Sequence, residues 1–155
     1  MDCTFKTPEG MFNYRVGAII VNDGKILLVR NEGSLYYYSV GGRVKMNESL
    51  EHAVLRECFE ETGVHFEIDR LGFIHENFFE EQITKVRYHE FCLFYYMSPG
   101  TKYNLICNSV MDGSTLEYLE WIPIEKLTDI NVYPEFFKTR LIHPSKKIEH
   151  IVTYE

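Results

Sequence analysis

Three glutamates close one amphipathic segment of the chain. Between Glu48 and Thr62 the sequence carries Glu57, Glu60 and Glu61, with Arg56 beside the first of them. At 100° per residue, Leu50, Ala53, Val54 and Cys58 form one apolar stripe, and Glu57 and Glu61 fall about 20° to either side of its axis. A solvated acidic face would put these carboxylates opposite Leu50, so they are expected to lean toward the core instead. They also crowd the C-terminal end of the helix, where the macrodipole is already negative. Like charges four residues apart repel further. Arg56 offsets one charge. Helix geometry alone leaves two readings of the remainder: a divalent-cation site or a structural ion-pair cluster. An all-carboxylate donor set suits Mg²⁺ or Mn²⁺ rather than Zn²⁺.

The spacing extends beyond the helix. Gly42, Glu48, Arg56, Glu57, Glu60, Glu61 and Gly63 follow the pattern Gly, five residues, Glu, seven residues, Arg-Glu-U-x-Glu-Glu-x-Gly-U, where U is a bulky aliphatic residue. Val64 fills the last U and Cys58 the first, as a smaller substitute. Seven such identities arise by chance with odds on the order of one in 10⁸ per start position. The pattern resembles the Nudix box, the signature of Nudix hydrolases. The preceding hairpin and the segment Glu120-Trp121-Ile122-Pro123-Ile124 are also similar to that family, so the resemblance spans most of the chain.

The resemblance implies an α/β (α+β) fold, a Nudix-type α/β/α sandwich around a mixed central β-sheet, with residues 1–155 as one domain. It implies a metal-dependent pyrophosphohydrolase that cleaves a nucleoside diphosphate linked to another group, with Mg²⁺ or Mn²⁺ as cofactor. Carried over by position, Glu57, Glu60 and Glu61 are the expected metal ligands, joined by the Gly42 carbonyl. Arg56 resembles the arginine that orients an adjacent glutamate, and Glu48 is expected to hold the loop or pair with Arg56. The general base is a box glutamate in some members and a later carboxylate in others. Glu57 is the first candidate, Glu117 the second and Glu120 a third; the alternative for Glu117 is an exposed strand residue. Two departures touch no ligand. Val40 stands where the family often has Pro, and Asn47 where it often has Gly; Asn is the best substitute for Gly in a left-handed position.

Substrate contacts are less constrained by the sequence. Arg15, Arg30 and Arg87 lie on or beside expected strands and are candidates to clamp a phosphate, surface ion pairs being the alternative. Tyr36-Tyr37-Tyr38 and Phe78-Phe79 are candidates to stack on a base, core packing being the alternative. The rival from another class is a ligand-binding Nudix-fold sensor without turnover. Such sensors often lose box glutamates, and all of them are present here.

Composition sets the outer bounds. Sixteen Lys and Arg against twenty-three Asp and Glu give a formal net charge of −7. An anionic chain lacks the basic surface that drives sequence-independent binding to nucleic acid or anionic lipid, so neither partner is expected. A phosphate substrate then needs local positive charge from a metal or a few placed Arg and Lys. Apolar runs such as Val16 to Val21 are far shorter than the ~20 residues of a membrane span. The first residues lack the pattern of a secretory signal. The cysteines, Cys3, Cys58, Cys92 and Cys107, are scattered without a Cys-x-x-Cys pair. They are expected to be reduced in a cytoplasmic protein, with Cys58 and Cys92 as small core hydrophobes. A small nucleoside diphosphate derivative is the expected partner, and a homodimer is allowed.

The positioning elements follow from periodicity. Tyr14 to Val21 and Lys25 to Arg30 are β-rich runs joined by Asn22-Asp23-Gly24, a hairpin signal. Tyr36 to Val40 is a third run, ending at Gly41-Gly42. The helix is expected over Glu48 to Thr62, capped by Asn47 and closed by Gly63 in a left-handed conformation. Strands are then expected at Val64 to Ile68, Leu71 to Asn77, Lys85 to Ser98 and Thr115 to Ile122. Short helical pieces are expected after Pro123 and from Pro134 to about Leu141. From His143 the chain reads as a loosely held end, with Ile148, Ile151 and Val152 available to dock.

Overall fold

Asp23 and Gly24 both take positive φ, 52° and 71°, and turn the chain back on itself as the Asp-Gly pair predicts. The computed structural model describes residues 1–32, 36–98, 109–111 and 115–155. Cys107 lies outside them. The first five strands are β1 (Thr4–Thr7), β2 (Gly10–Ile19), β3 (Val21–Asn22), β4 (Lys25–Asn31) and β5 (Tyr37–Arg43). Helix α1 (Leu50–Thr62) follows, then β6 (Ile68–Glu80), β7 (Arg87–Met97), β8 (Ser109–Met111) and β9 (Thr115–Pro123). A 3-10 turn (Ile124–Asp129), β10 (Val132–Tyr133), α2 (Phe137–Arg140) and β11 (Glu149–Tyr154) complete the described chain.

The sheet is mixed. Its order is β11-β6-β7-β2-β5-β4-β9-β8, with β1 beside β2, β3 beside β4 and β10 beside β5. At its centre β2 pairs parallel with β7 on one side and antiparallel with β5 on the other. Period-two alternation sorts the apolar side chains onto two faces. Val16, Ala18, Leu27, Val29 and Val40 pack with Ala53, Val54 and Cys58 of α1. Ile19, Ile26, Leu28 and Phe94 pack on the other face with Leu127, Phe137 and Leu141. A helix covers each side of the sheet, as an α/β/α sandwich requires. Cys58 and Cys92 are buried, as small core residues should be. Among the described residues no helix is long and apolar enough to cross a membrane.

Several boundaries differ from the sequence expectation. The cap of α1 is Ser49, whose Oγ accepts the His52 N–H at 3.2 Å, while Asn47 takes the left-handed φ of 67° two residues earlier. Asn47 is thus the loop's positive-φ residue and not the cap. β5 continues through Gly41 and Gly42 to Arg43, because those residues pair with Gly17, Val16 and Arg15. Val64 to Glu67 is not a strand; the chain after Gly63 extends only from Ile68, and the two expected runs around Leu71 merge into one strand reaching Glu80. The N-terminal strand β1 falls in a segment with no clear alternation and forms by pairing Thr4–Thr7 with Gly10–Asn13. The tail is docked: Glu149–Tyr154 pairs parallel with Phe73–Phe78, and Ile151, half-buried, packs against the apolar cluster on the face away from α1, while Ile148 and Val152 stay exposed. A parallel edge strand gets its partner from a segment some seventy residues earlier, and no local pattern announces that.

Candidate functional site

α1 is fixed at both ends, which sets the rotation of its glutamates. Ser49 caps its start. Gly63 closes it in the left-handed conformation with φ 75°, and its N–H bonds to the Phe59 carbonyl. With Ala53, Val54 and Cys58 against the sheet, Glu57 and Glu61 lie half-buried beside them. Glu57 retains only 15% side-chain exposure, whereas Glu60 retains 52%. The wheel placed all three correctly: two beside the core and one further round.

Arg56 organises the box. Its Nε donates to Glu48 Oε2 at 2.7 Å and its Nη2 to Glu48 Oε1 at 2.9 Å, a bidentate pair. Nη2 also donates to the Arg43 carbonyl at 3.1 Å. Nη1 donates to Glu57 Oε1 at 2.8 Å and Glu60 Oε2 at 3.2 Å. A guanidinium has five N–H groups, and these five contacts use all of them. Glu48 additionally accepts the Lys45 N–H at 3.0 Å. These bonds, led by Arg56, hold its carboxyl down to about 2. Glu48 therefore clamps the loop to the helix, the structural role expected of it.

The sheet supplies the floor. A Cβ on Gly42 would fall 2.5 Å from Glu57 Oε2 and closer still to its Oε1 and Cδ, so the carboxylate occupies the space that a side chain would fill. Gly41 has no such room either, since a Cβ there would overlap the Val16 carbonyl. Glu61 Oε2 accepts the Gly41 N–H at 3.1 Å. Glu117 on β9 is 5% exposed, and its charge acts on Glu61. The Tyr38 hydroxyl lies 3.4 Å from Glu117 Oε1 and 2.5 Å from Asn31 Oδ1.

The electrostatics follow from burial with too few cations. Burial pushes Glu57 up against the opposing pull of Arg56. Burial and then the Glu117 charge push Glu61 well above the ordinary carboxylate range, with Arg15 and the Gly41 N–H opposing. Buried carboxylates held this close to one another are unfavourable unless a cation or a proton relieves them. Glu57, Glu60, Glu61 and Glu117 are hard oxygen donors of the kind Mg²⁺ and Mn²⁺ take. Among the described residues no three acidic, imidazole or thiol groups already converge as a cage. Arg56 draws Glu57 and Glu60 to itself instead, so ligation requires both side chains to turn from, or share, its guanidinium.

The expected arginines separate. Arg15 is the register partner of Arg43 on β5 and Cys92 on β7, and its charge reaches Glu57 and Glu61. Arg30 lies on the face away from α1, its guanidinium 5.9 Å from the Tyr37 ring and 5.4 Å from the Tyr118 ring. Glu120 shares that face, where the Tyr37 hydroxyl donates to it at 2.8 Å. Arg87 stands opposite Glu80 at the far end of β7. It is five residues, about 17 Å along the strand, from Cys92 at the level of Arg15. The structure thus brings Glu117 to the box, leaves Arg30, Glu120 and Arg87 outside it, and puts Arg15 on the Cys92 face of the sheet, from which only its charge reaches the box glutamates. Phe78 and Phe79 also belong to the distant end, stacked on Tyr154 and Tyr88. Tyr38, a candidate to stack on a base, instead turns its hydroxyl to Asn31 and Glu117; Asn31 belongs to no motif, and only the pairing of β4 with β5 and β9 brings it to Glu117.

A mixed sheet between helices, with a glycine-floored loop and an Arg-Glu-Cys-Phe-Glu-Glu helix end, defines a Nudix-type fold. The family model described as the NUDIX domain matches residues 11–140. The chain belongs to the NUDIX domain family. It is similar to a MutT-like protein of Streptomyces ambofaciens, 33% identical over 61 residues, which is 39% of this chain. The match spans only 40% of that curated relative. Among solved structures, the mutator MutT protein of Bacillus halodurans superposes with a TM-score of 0.67 at 17% identity, covering 92% of this chain and 90% of that one. The MutT protein of Methanosarcina mazei superposes with a TM-score of 0.65 at 23% identity, covering 92% and 100%.

Proposed function

We propose that the protein is a metal-dependent pyrophosphohydrolase acting on a nucleoside diphosphate linked to another group: a nucleotide, a nucleotide sugar or an ADP-ribose-like compound. The observation that carries this reading is the group of carboxylates around the end of α1. Glu57, Glu61 and Glu117 are sequestered there, and the Arg56 guanidinium that bonds Glu57 is already fully used. Glu57, Glu60 and Glu61, with the Gly42 carbonyl, would hold Mg²⁺ or Mn²⁺. Such an ion neutralises diphosphate oxygens and lowers the pKa of a bound water. Arg56 keeps Glu57 in place over Gly42, and Glu48 keeps Arg56 in place. Arg15 adds a positive charge felt by Glu57 and Glu61.

The proton of the attacking water goes to Glu117 in this reading. Helix placement favours Glu57, but its Oε1 already accepts an N–H from Arg56 at 2.8 Å and the same carboxylate is wanted as a metal ligand, which leaves the proton to a second carboxylate. Glu117, buried on β9 with its charge felt by Glu61, is that carboxylate. Buried Cys58 and Cys92 thiols accord with a cytoplasmic enzyme.

The test is a panel of nucleotides and nucleotide sugars with Mg²⁺ or Mn²⁺, scored for release of phosphate or monophosphate. Turnover should vanish in excess EDTA and return with added metal. Undiminished activity in EDTA sinks the metal. Tight binding across the panel without cleavage by either metal identifies a sensor instead.

A further inference from the structure

Tyr38 reaches across three strands. It sits on β5 opposite Val29 of β4, its ring packed against the core under α1. Its hydroxyl meets Asn31 Oδ1 and Glu117 Oε1 at 2.5 and 3.4 Å. Asn31 and Glu117 are themselves register partners on β4 and β9. A phenol has one hydrogen, so it donates to one of these acceptors only. The oxygen and nitrogen of an Asn amide are interchangeable in shape. With the amide turned, its NH₂ donates to the phenol oxygen and the phenol proton goes to Glu117. A bond to an ionised carboxylate is stronger than one to an amide oxygen. Asn31 thereby holds the phenol where its hydrogen can be turned to Glu117 Oε1. The direction matters because Glu117 and Glu61 repel.

We propose that Tyr38, oriented by Asn31, is a positioning residue that holds Glu117 against Glu61 at the candidate cation site. This rests on the reading of that site given above. Tyr38 itself touches no reacting atom; it acts through Glu117. The ring's packing and the hydroxyl's bond are separable, since Phe keeps the first and removes the second.

The experiment is a double-mutant cycle on Tyr38→Phe and Glu117→Gln, with folding checked by thermal melts. Two properties are measured: binding of Mn²⁺ alone to the full chain, and kcat and KM on whichever substrate the panel yields. Tyr38→Phe should weaken Mn²⁺ binding several-fold and lower kcat about 10-fold at little-changed KM. In the Glu117→Gln background the same change should cost neither. Equal losses in both backgrounds, or Mn²⁺ affinity and kcat indifferent to Tyr38→Phe, would overturn the proposal. A wild-type chain that hydrolyses nothing, yet shows the same coupling in Mn²⁺ binding, upholds Tyr38 and removes the enzymatic reading.

Discussion

Gly42→Ala tests the floor of the site with a single methyl group. The backbone of Gly42 is not in the left-handed region, so alanine brings no conformational strain of that kind. Its Cβ would stand 2.5 Å from Glu57 Oε2 and nearer still to Oε1 and Cδ, where ordinary contact begins at 3.4 Å. The Glu57 carboxylate must retreat by about 1 Å, and a displacement of that size at a reacting centre costs about 10²-fold in rate. The retreat also loosens the 2.8 Å bond to Arg56. What moves is the free end of a flexible side chain, so the fold should lose only about 1 kcal/mol. Gly41→Ala is the contrast: its Cβ meets the backbone carbonyl of Val16, which cannot move without disturbing the β2–β5 pairing. Urea denaturation and steady-state kinetics on both variants separate the cases. Gly42→Ala should be stable and nearly inactive, and Gly41→Ala clearly destabilised. If Gly42→Ala keeps near-wild-type kcat, Glu57 does not work from the position over that glycine.

Four further expectations follow from the box and the docked tail. Glu61 and Glu57 have raised folded-state pKa values, so their protonated forms stabilise the fold. That contribution is complete below the ordinary value of 4.5 and is lost as pH rises through the raised value. The metal-free protein should therefore melt higher near about pH 5 than near about pH 8, and Glu61→Gln should flatten that slope while abolishing turnover; an unchanged slope refutes it. Glu48 has the opposite sign, its contribution being lost only as pH falls toward about 2. Arg56→Lys replaces five directed donors by three and forfeits the bidentate grip on Glu48, which should cost about 2 kcal/mol in urea titrations. Ile151→Ala should cost about 1–2 kcal/mol if the C-terminal strand is docked; a loose tail would give no change.

The box could be read from the sequence because its logic is local. Helical periodicity alone placed Glu57 and Glu61 beside the core and Glu60 further round, and the seven-position pattern tied Glu48 to Arg56 across one loop. The Asp23-Gly24 turn and the Gly63 cap were legible for the same reason, since each depends on the φ its own residue tolerates. The two layers of core were foreseeable from alternation. Relations between distant segments were not. Glu117, Tyr38 and Asn31 meet because β5, β4 and β9 lie side by side. The N-terminal and C-terminal strands exist only through partners on β2 and β6. Register likewise divided the arginines along the sheet: Arg15 and Arg30 share the face away from α1, only Arg15 lies close enough for its charge to reach the box, and Arg87 stands at the far end. Side-chain periodicity says which residues share a face. Only strand order and register say which of them share a cleft, because those are set by the packing of the whole sheet.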